Sequence, residues 1–232
     1  MTKDAKQYVP AMPKKKAGSA ADALSPLLYG RVPLDQWPPD DSSPAEPWRS
    51  FVEARTDFHA GRVDEARAAW QRIASMEGVE ARHTIQAWTY LRANGVAPAD
   101  DVATRVLGVV VEVPVDDGRD VLAAYRDGSA RYLNHSGAAS VVEQGTPATE
   151  PLVHELVAVA QPLADVIGVW GEQALPDLPP SATRLLLLTP GGPRFGQGPM
   201  AALMEEPKAQ ALFTAATTLL TAVVDLSTSA GA

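Results

Sequence analysis

The chain has 232 residues, 46% of them hydrophobic, with no cysteine and a formal net charge of −8. That length can bury a sizeable core, and the missing cysteine excludes disulfides and thiolate chemistry. Residues 1–20 hold five Lys against one Asp, which leaves 15 basic and 27 acidic residues to repel nucleic acid from the rest.

Residues 1–46 read as a disordered basic, proline-rich tail, since Pro10, Pro13, Pro26, Pro33, Pro38, Pro39 and Pro44 remove donors and fix φ. No apolar stretch follows its lysines, so no signal peptide is expected and the chain reads as cytoplasmic. Heavy use of Ala, Val, Arg and Pro points to a GC-rich bacterial coding sequence. Two apolar islands, residues 24–32 (LSPLLYGRV) and Trp37, are expected to dock onto the chain's own body.

From Pro47 the spacing turns helical. Phe51, Ala54 and Phe58 recur on one stripe, then Ala66, Trp70 and Ile73, then Ile85, Trp88 and Leu91. Gly61, Gly78 and Gly95 separate the three segments. Trp48, Trp70 and Trp88 are expected in the core.

Residues 61–66 (GRVDEA) followed by Trp70 resemble the turn and second-helix start of a tetratricopeptide repeat. Gly95 lies one 34-residue period after Gly61. The resemblance spans residues 47–103 and implies a helical hairpin that binds peptide segments of other proteins. The sequence departs from the pattern after Gly95, where VAPADDVA lacks the Glu-Ala step.

Residues 104–226 read as a sheet with helices. The run VLGVVVEV over residues 106–113 has the composition of a central strand buried on both faces. Asp127-Gly128 predicts a two-residue hairpin loop with φ > 0 at both residues, pairing Tyr125 with Ala130 and Ala123 with Tyr132. Asn134-His135-Ser136-Gly137 turns the chain into a further strand over residues 138–143. A helical stripe runs from Leu152 to Trp170, kinked or broken at Pro162. Thr183–Thr189 (TRLLLLT) is a second buried strand. The stretch PGGPRFGQGP, residues 190–199, reads as an exposed mobile loop before a final helix entered at Pro207. Residues 209–224 of that helix carry no charge, but they fall short of the roughly 20 residues that span a bilayer. Residues 227–232 are expected to be a disordered tail.

Four residues stand out as candidate ligand or partner contacts: Arg194 and Phe195 in the glycine-rich stretch, and His135 and Asn134 in the turn. The glycine-rich stretch follows a strand and precedes a helix, the context in which backbone N–H groups cradle phosphate. It lacks the Lys-Ser/Thr pair of a nucleotide-binding loop, and Pro193 removes a donor. His135 beside Ser136 has no third group to orient it as a catalytic base. No histidine pair has metal-ligand spacing, so neither a metal nor a cofactor is expected.

The fold class expected is α+β: an N-terminal helical hairpin packed with an antiparallel β-meander and two C-terminal helices. The function expected is that of a non-enzymatic protein-binding or adaptor protein, with self-association through the C-terminal helix as one mode and neither nucleic acid nor a membrane span involved. The alternative is a small enzyme or an anion- or nucleotide-binding domain. That alternative requires the 190–199 stretch and the 134–136 turn to meet in one cleft.

Overall fold

Residues 109–111 are all Val, and they lie in a strand paired on both sides at the interior of the sheet. The computed structural model describes residues 20–40, 42–116, 118–171 and 174–230, and leaves the side chains of residues 20–22, 229 and 230 undescribed. The sheet's strands are β1 (Gly108–Val115), β2 (Gly118–Tyr125), β3 (Ala130–Leu133), β4 (Ala139–Val142), β5 (Thr183–Thr189) and β6 (Gly192–Gly198). All neighbours are antiparallel, in the order β4-β3-β2-β1-β5-β6. The first four strands form a meander, and the β5–β6 hairpin joins it along β1.

Alternation along β1 and β5 sends residues to two covered faces. Val109, Val111, Leu185 and Leu187 face one core, and Val110, Leu186 and Leu188 the other. Helices α6 (Glu150–Ala164) and α8 (Pro207–Ala230) cover the first face through Leu156, Leu212 and Leu219. The second face is covered by an N-terminal arm and by α4 (Ala81–Ala93). The arm begins with α1 (Ala20–Leu28), and its Leu28 and Tyr29 lie beside Ala81 and Ile85 of α4.

Behind α4 lies a third layer, α2 (Trp48–His59) and α3 (Val63–Ser75), around Phe51, Trp70 and Ile73. Helix α4 serves both cores, giving Ala81 and Ile85 to the sheet and Ala87, Tyr90 and Leu91 to the helical layer. Gly61 and Gly95, both at φ 79°, close α2 and α4, where a side chain would be strained. Two single-turn helices, α5 (Asp100–Ala103) and α7 (Met200–Leu203), and a 3-10 turn in the arm (Leu34–Gln36) complete the described elements. The class is α+β.

Several expectations need correction. The stretch through residue 46 is not a disordered tail where it is described. Residues 20–28 are helical, and Trp37 is only 3% exposed because the helical layer receives it. The basic segment, residues 1–19, lies outside the described residues. At the other end α8 continues through Ala230, so residues 227–230 are helical, and residues 231–232 fall outside the description. Its stretch Pro207–Thr228, 22 residues of mean hydropathy 1.4, is long and apolar enough to cross a membrane, contrary to the shorter run expected. Here one side of that helix packs on α6 and the sheet through Ala216, Leu219 and Val223.

The β2–β3 register differs by one residue from expectation. Ala124 pairs with Ala130 and Ala123 with Arg131, around a three-residue loop in which only Gly128 has positive φ, 88°. Leu122, Ala124, Ala130 and Tyr132 therefore face α6 and α8, while Tyr125 and Ala123 face the arm. Helix α6 ends two residues after Pro162, and Trp170 lies outside it. Most of the 190–199 stretch is strand β6 rather than a loop. Trp48 and Trp88 only pack against the helical core, and Trp70 alone of the three expected tryptophans is fully buried.

Candidate functional site

Two features stand out on the arm side of the sheet, and the arm contributes to both. The first is a groove on α4 filled by an extended stretch of the arm. Gln86, 1% exposed, grips Val32 at both backbone atoms: its Oε1 accepts from the Val32 N–H at 2.9 Å and its Nε2 donates to the Val32 carbonyl at 3.0 Å. The Tyr90 hydroxyl donates to the same carbonyl at 2.9 Å, and Thr89 donates to the Gly30 carbonyl at 2.8 Å. Gly30 is needed there, because a Cβ would sit 2.7 Å from Ile85 Cγ2.

Five residues on, Trp37 enters an aromatic pocket. Its ring centroid lies 5.3 Å from Trp48, 5.8 Å from Phe51 and 5.7 Å from His83. The fit is apolar but not polar. Trp37 Nε1 and both ring nitrogens of His83 are buried without hydrogen-bond partners among the described residues. Burial holds the His83 imidazole neutral, with its pKa lowered to about 4.

The second feature is a cleft of about 550 Å³ between the arm, the sheet and residues 174–178. Glu112 of β1 and Arg184 of β5 are cross-strand partners, 6% and 5% exposed, with Nη1 3.6 Å from Oε1. The Tyr29 hydroxyl donates to Glu112 Oε1 at 2.8 Å, and burial pushes its pKa up, with the Glu112 charge adding to the rise. Arg184 also donates to Gln197 at 2.8 Å and to the Pro176 carbonyl. Arg119 is held by the carbonyls of Ala182 at 3.1 Å, Leu178 at 3.2 Å and Pro179 at 3.1 Å. Arg31 is different. It lines the cleft, its guanidinium makes no hydrogen bond or ion pair among the described residues, and burial lowers its pKa.

The four sequence candidates do not meet. Arg194 is 8% exposed in β6, and its Nη1 donates to the Ile167 carbonyl. Phe195 turns to the other face, packing 5.3 Å from Trp170 and 5.5 Å under Arg184. His135 and Asn134 sit at the β3–β4 turn, near the opposite edge of the sheet. Asn134 Oδ1 caps that turn, accepting from Ser136 Oγ at 2.8 Å and the Ala138 N–H at 2.9 Å. His135 Nδ1 lies 3.1 Å from Asp120 Oδ1, and Tyr132 donates to Oδ2 at 2.7 Å. Burial opposes ionisation of Asp120, but the bonds from Tyr132 and His135 outweigh it and lower its pKa. Those bonds keep His135 and Asn134 on local partners.

Sequence reading passed over Gln86, Arg31, Glu112 and Arg184. A signal existed for two of them: Glu112 interrupts VVVEV and Arg184 opens TRLLLLT, charges inside strands read as buried. Gln86 and Arg31 carry no local signal: Gln86 acts on an arm residue 54 positions away in sequence, and Arg31, in the arm, lines a cleft whose other walls come from distant strands. Among the described residues no group of three acidic or histidine side chains is placed to hold a metal ion. No protein-family model, curated protein or solved structure matches this chain.

Proposed function

We propose that this chain is a non-enzymatic protein-binding or adaptor protein whose helical layer grips extended peptide segments. The observation that carries this reading is the Gln86 clamp. A carboxamide bonded to both the N–H and the C=O of one residue reads backbone rather than side chain, as a strand edge does. In the present structure the arm occupies that groove, with Trp37 as its anchor. The buried polar atoms left unpaired around Trp37 mark an occupant that fits imperfectly and can be displaced. The tetratricopeptide-like spacing of residues 47–103 points to the same use.

The test is a titration of labelled peptide covering residues 27–39 into full-length protein carrying Trp37→Ala, which empties the anchor pocket. Saturable binding is expected, tighter than to the wild-type chain, and lost on adding Gln86→Ala. Absence of saturable binding to a folded Trp37→Ala protein overturns the reading.

A further inference from the structure

We propose that the cleft between the arm and residues 174–178 is a binding site for an organic carboxylate with an apolar body. Its volume, about 550 Å³, lies within the usual range for small-molecule sites of roughly 300–1,000 Å³. Three guanidiniums, of Arg31, Arg119 and Arg184, share the cleft with two carboxylates, of Glu112 and Asp177, and Glu112 is taken up by Arg184 and the Tyr29 hydroxyl, so one positive charge is left in excess. A further cation lies near Arg31 but outside the cleft lining: Arg92 donates to the Pro190 carbonyl at 2.6 Å and to Thr89 Oγ1 at 3.2 Å, and Thr89 in turn donates to the Gly30 carbonyl, next to Arg31. Burial and the like charge of Arg31 lower the Arg92 pKa to about 10.

Arg119 and Arg184 are fixed by backbone carbonyls, so the cleft is pre-formed, while the Arg31 fork is left for a ligand. A planar guanidinium fork matches a carboxylate with two parallel bonds. The remaining wall is apolar, built by Pro26, Leu175, Pro176 and Leu178. Glu112 and Asp177 line the same cleft. An excess of one positive charge suits a monoanion rather than a phosphate dianion, and a hydrocarbon body uses the apolar wall as well. The cleft and the α4 groove share the arm, through Arg31 and the adjacent Val32, so a peptide that displaces the arm removes Arg31 from the cleft; carboxylate binding is therefore tested on the chain with its arm in place.

Calorimetric titration of the full chain with hexanoate, hexanamide and inorganic phosphate at constant ionic strength decides the matter. Saturable hexanoate binding is expected, with hexanamide and phosphate each weaker by about tenfold or more, the scale of a charged hydrogen-bond pair. Arg31→Gln should weaken hexanoate by about tenfold with the melting temperature kept, since the wild-type side chain has no partner to lose. Should that variant not fold, Arg31→Lys replaces it, and loss of the fork should still weaken binding by at least about threefold. No saturable hexanoate binding, equal binding of hexanamide, tighter binding of phosphate, or an unaffected folded Arg31 variant overturns the assignment.

Discussion

His83 holds a neutral imidazole between Trp37 and Trp48, with Glu80, Arg82, Arg131 and Asp127 as its charged neighbours. Its pKa in the folded chain is about 4, below the ordinary 6.5, so the unfolded chain binds more protons between those values. Folding stability therefore falls as pH drops from 6.5 towards 4, by at most about 1.4 kcal/mol per pH unit from this group. Melting temperatures of wild type and His83→Gln between pH 7 and 4.5 check this; the wild-type curve should fall more steeply. The Glu112–Arg184 pair is the other costly residue-scale feature. Glu112→Ala should destabilise by about 3–5 kcal/mol, because it leaves the buried Arg184 without its counter-charge and the Tyr29 hydroxyl without its acceptor. Denaturant melts measure that loss directly.

At the scale of elements, composition alone located β1 and β5, because runs of Val and Leu have only the interior of a sheet to enter. The β2–β3 register was not legible, for a tertiary reason. Asp127 Oδ1 accepts from the Ser129 N–H at 2.9 Å and its Oδ2 accepts from the Ala81 N–H at 2.6 Å, at the start of α4. That double use leaves Gly128 as the left-handed residue of a three-residue loop, where Asp-Gly alone suggests a two-residue one. Gly128→Val should still cost more than about 1 kcal/mol, since φ is 88° there. Strand β6 was hidden for the opposite reason. Its glycines carry no side-chain period, and Pro193 is tolerated only because β6 is an edge. Among the tryptophans, Trp70→Ala should cost about 3–5 kcal/mol and Trp88→Ala distinctly less, in line with their burial. Paired equilibrium unfolding of the two variants tests the order.

For the whole molecule, the arm is the part that sequence described least well. Proline density suggested disorder where residues 20–28 are helical, whereas its apolar islands dock on the chain's own body as expected: the Tyr125 hydroxyl donates to the Leu28 carbonyl at 2.6 Å, and Trp37 fills the helical pocket. The candidate site suffered in the same way, because the cleft is assembled from residues of the arm, β1, β2 and β5 that no local window contains. The arm is held by side-chain hydrogen bonds and apolar contacts rather than by a strand-to-strand backbone ladder, so it should open before the sheet does. Hydrogen exchange is expected to show the Val32 amide less protected than the β1 amides. Gln86→Ala should speed exchange at Val32 while leaving β1 unchanged.

The seam between β1 and β5 sets how this chain reaches its fold. The meander pairs close neighbours in sequence, but Gly108 pairs with Leu188, 80 residues later. Closing so long a loop costs entropy before the seam returns any contact. Helix α6 lies in that interval and packs on the sheet face that β1 and β5 share. The meander with α6 is thus the natural early assembly, and the β5–β6 hairpin is captured late. Substitutions at Leu186 should then act on the unfolding rate far more than on the folding rate, and those at Ala123 on both.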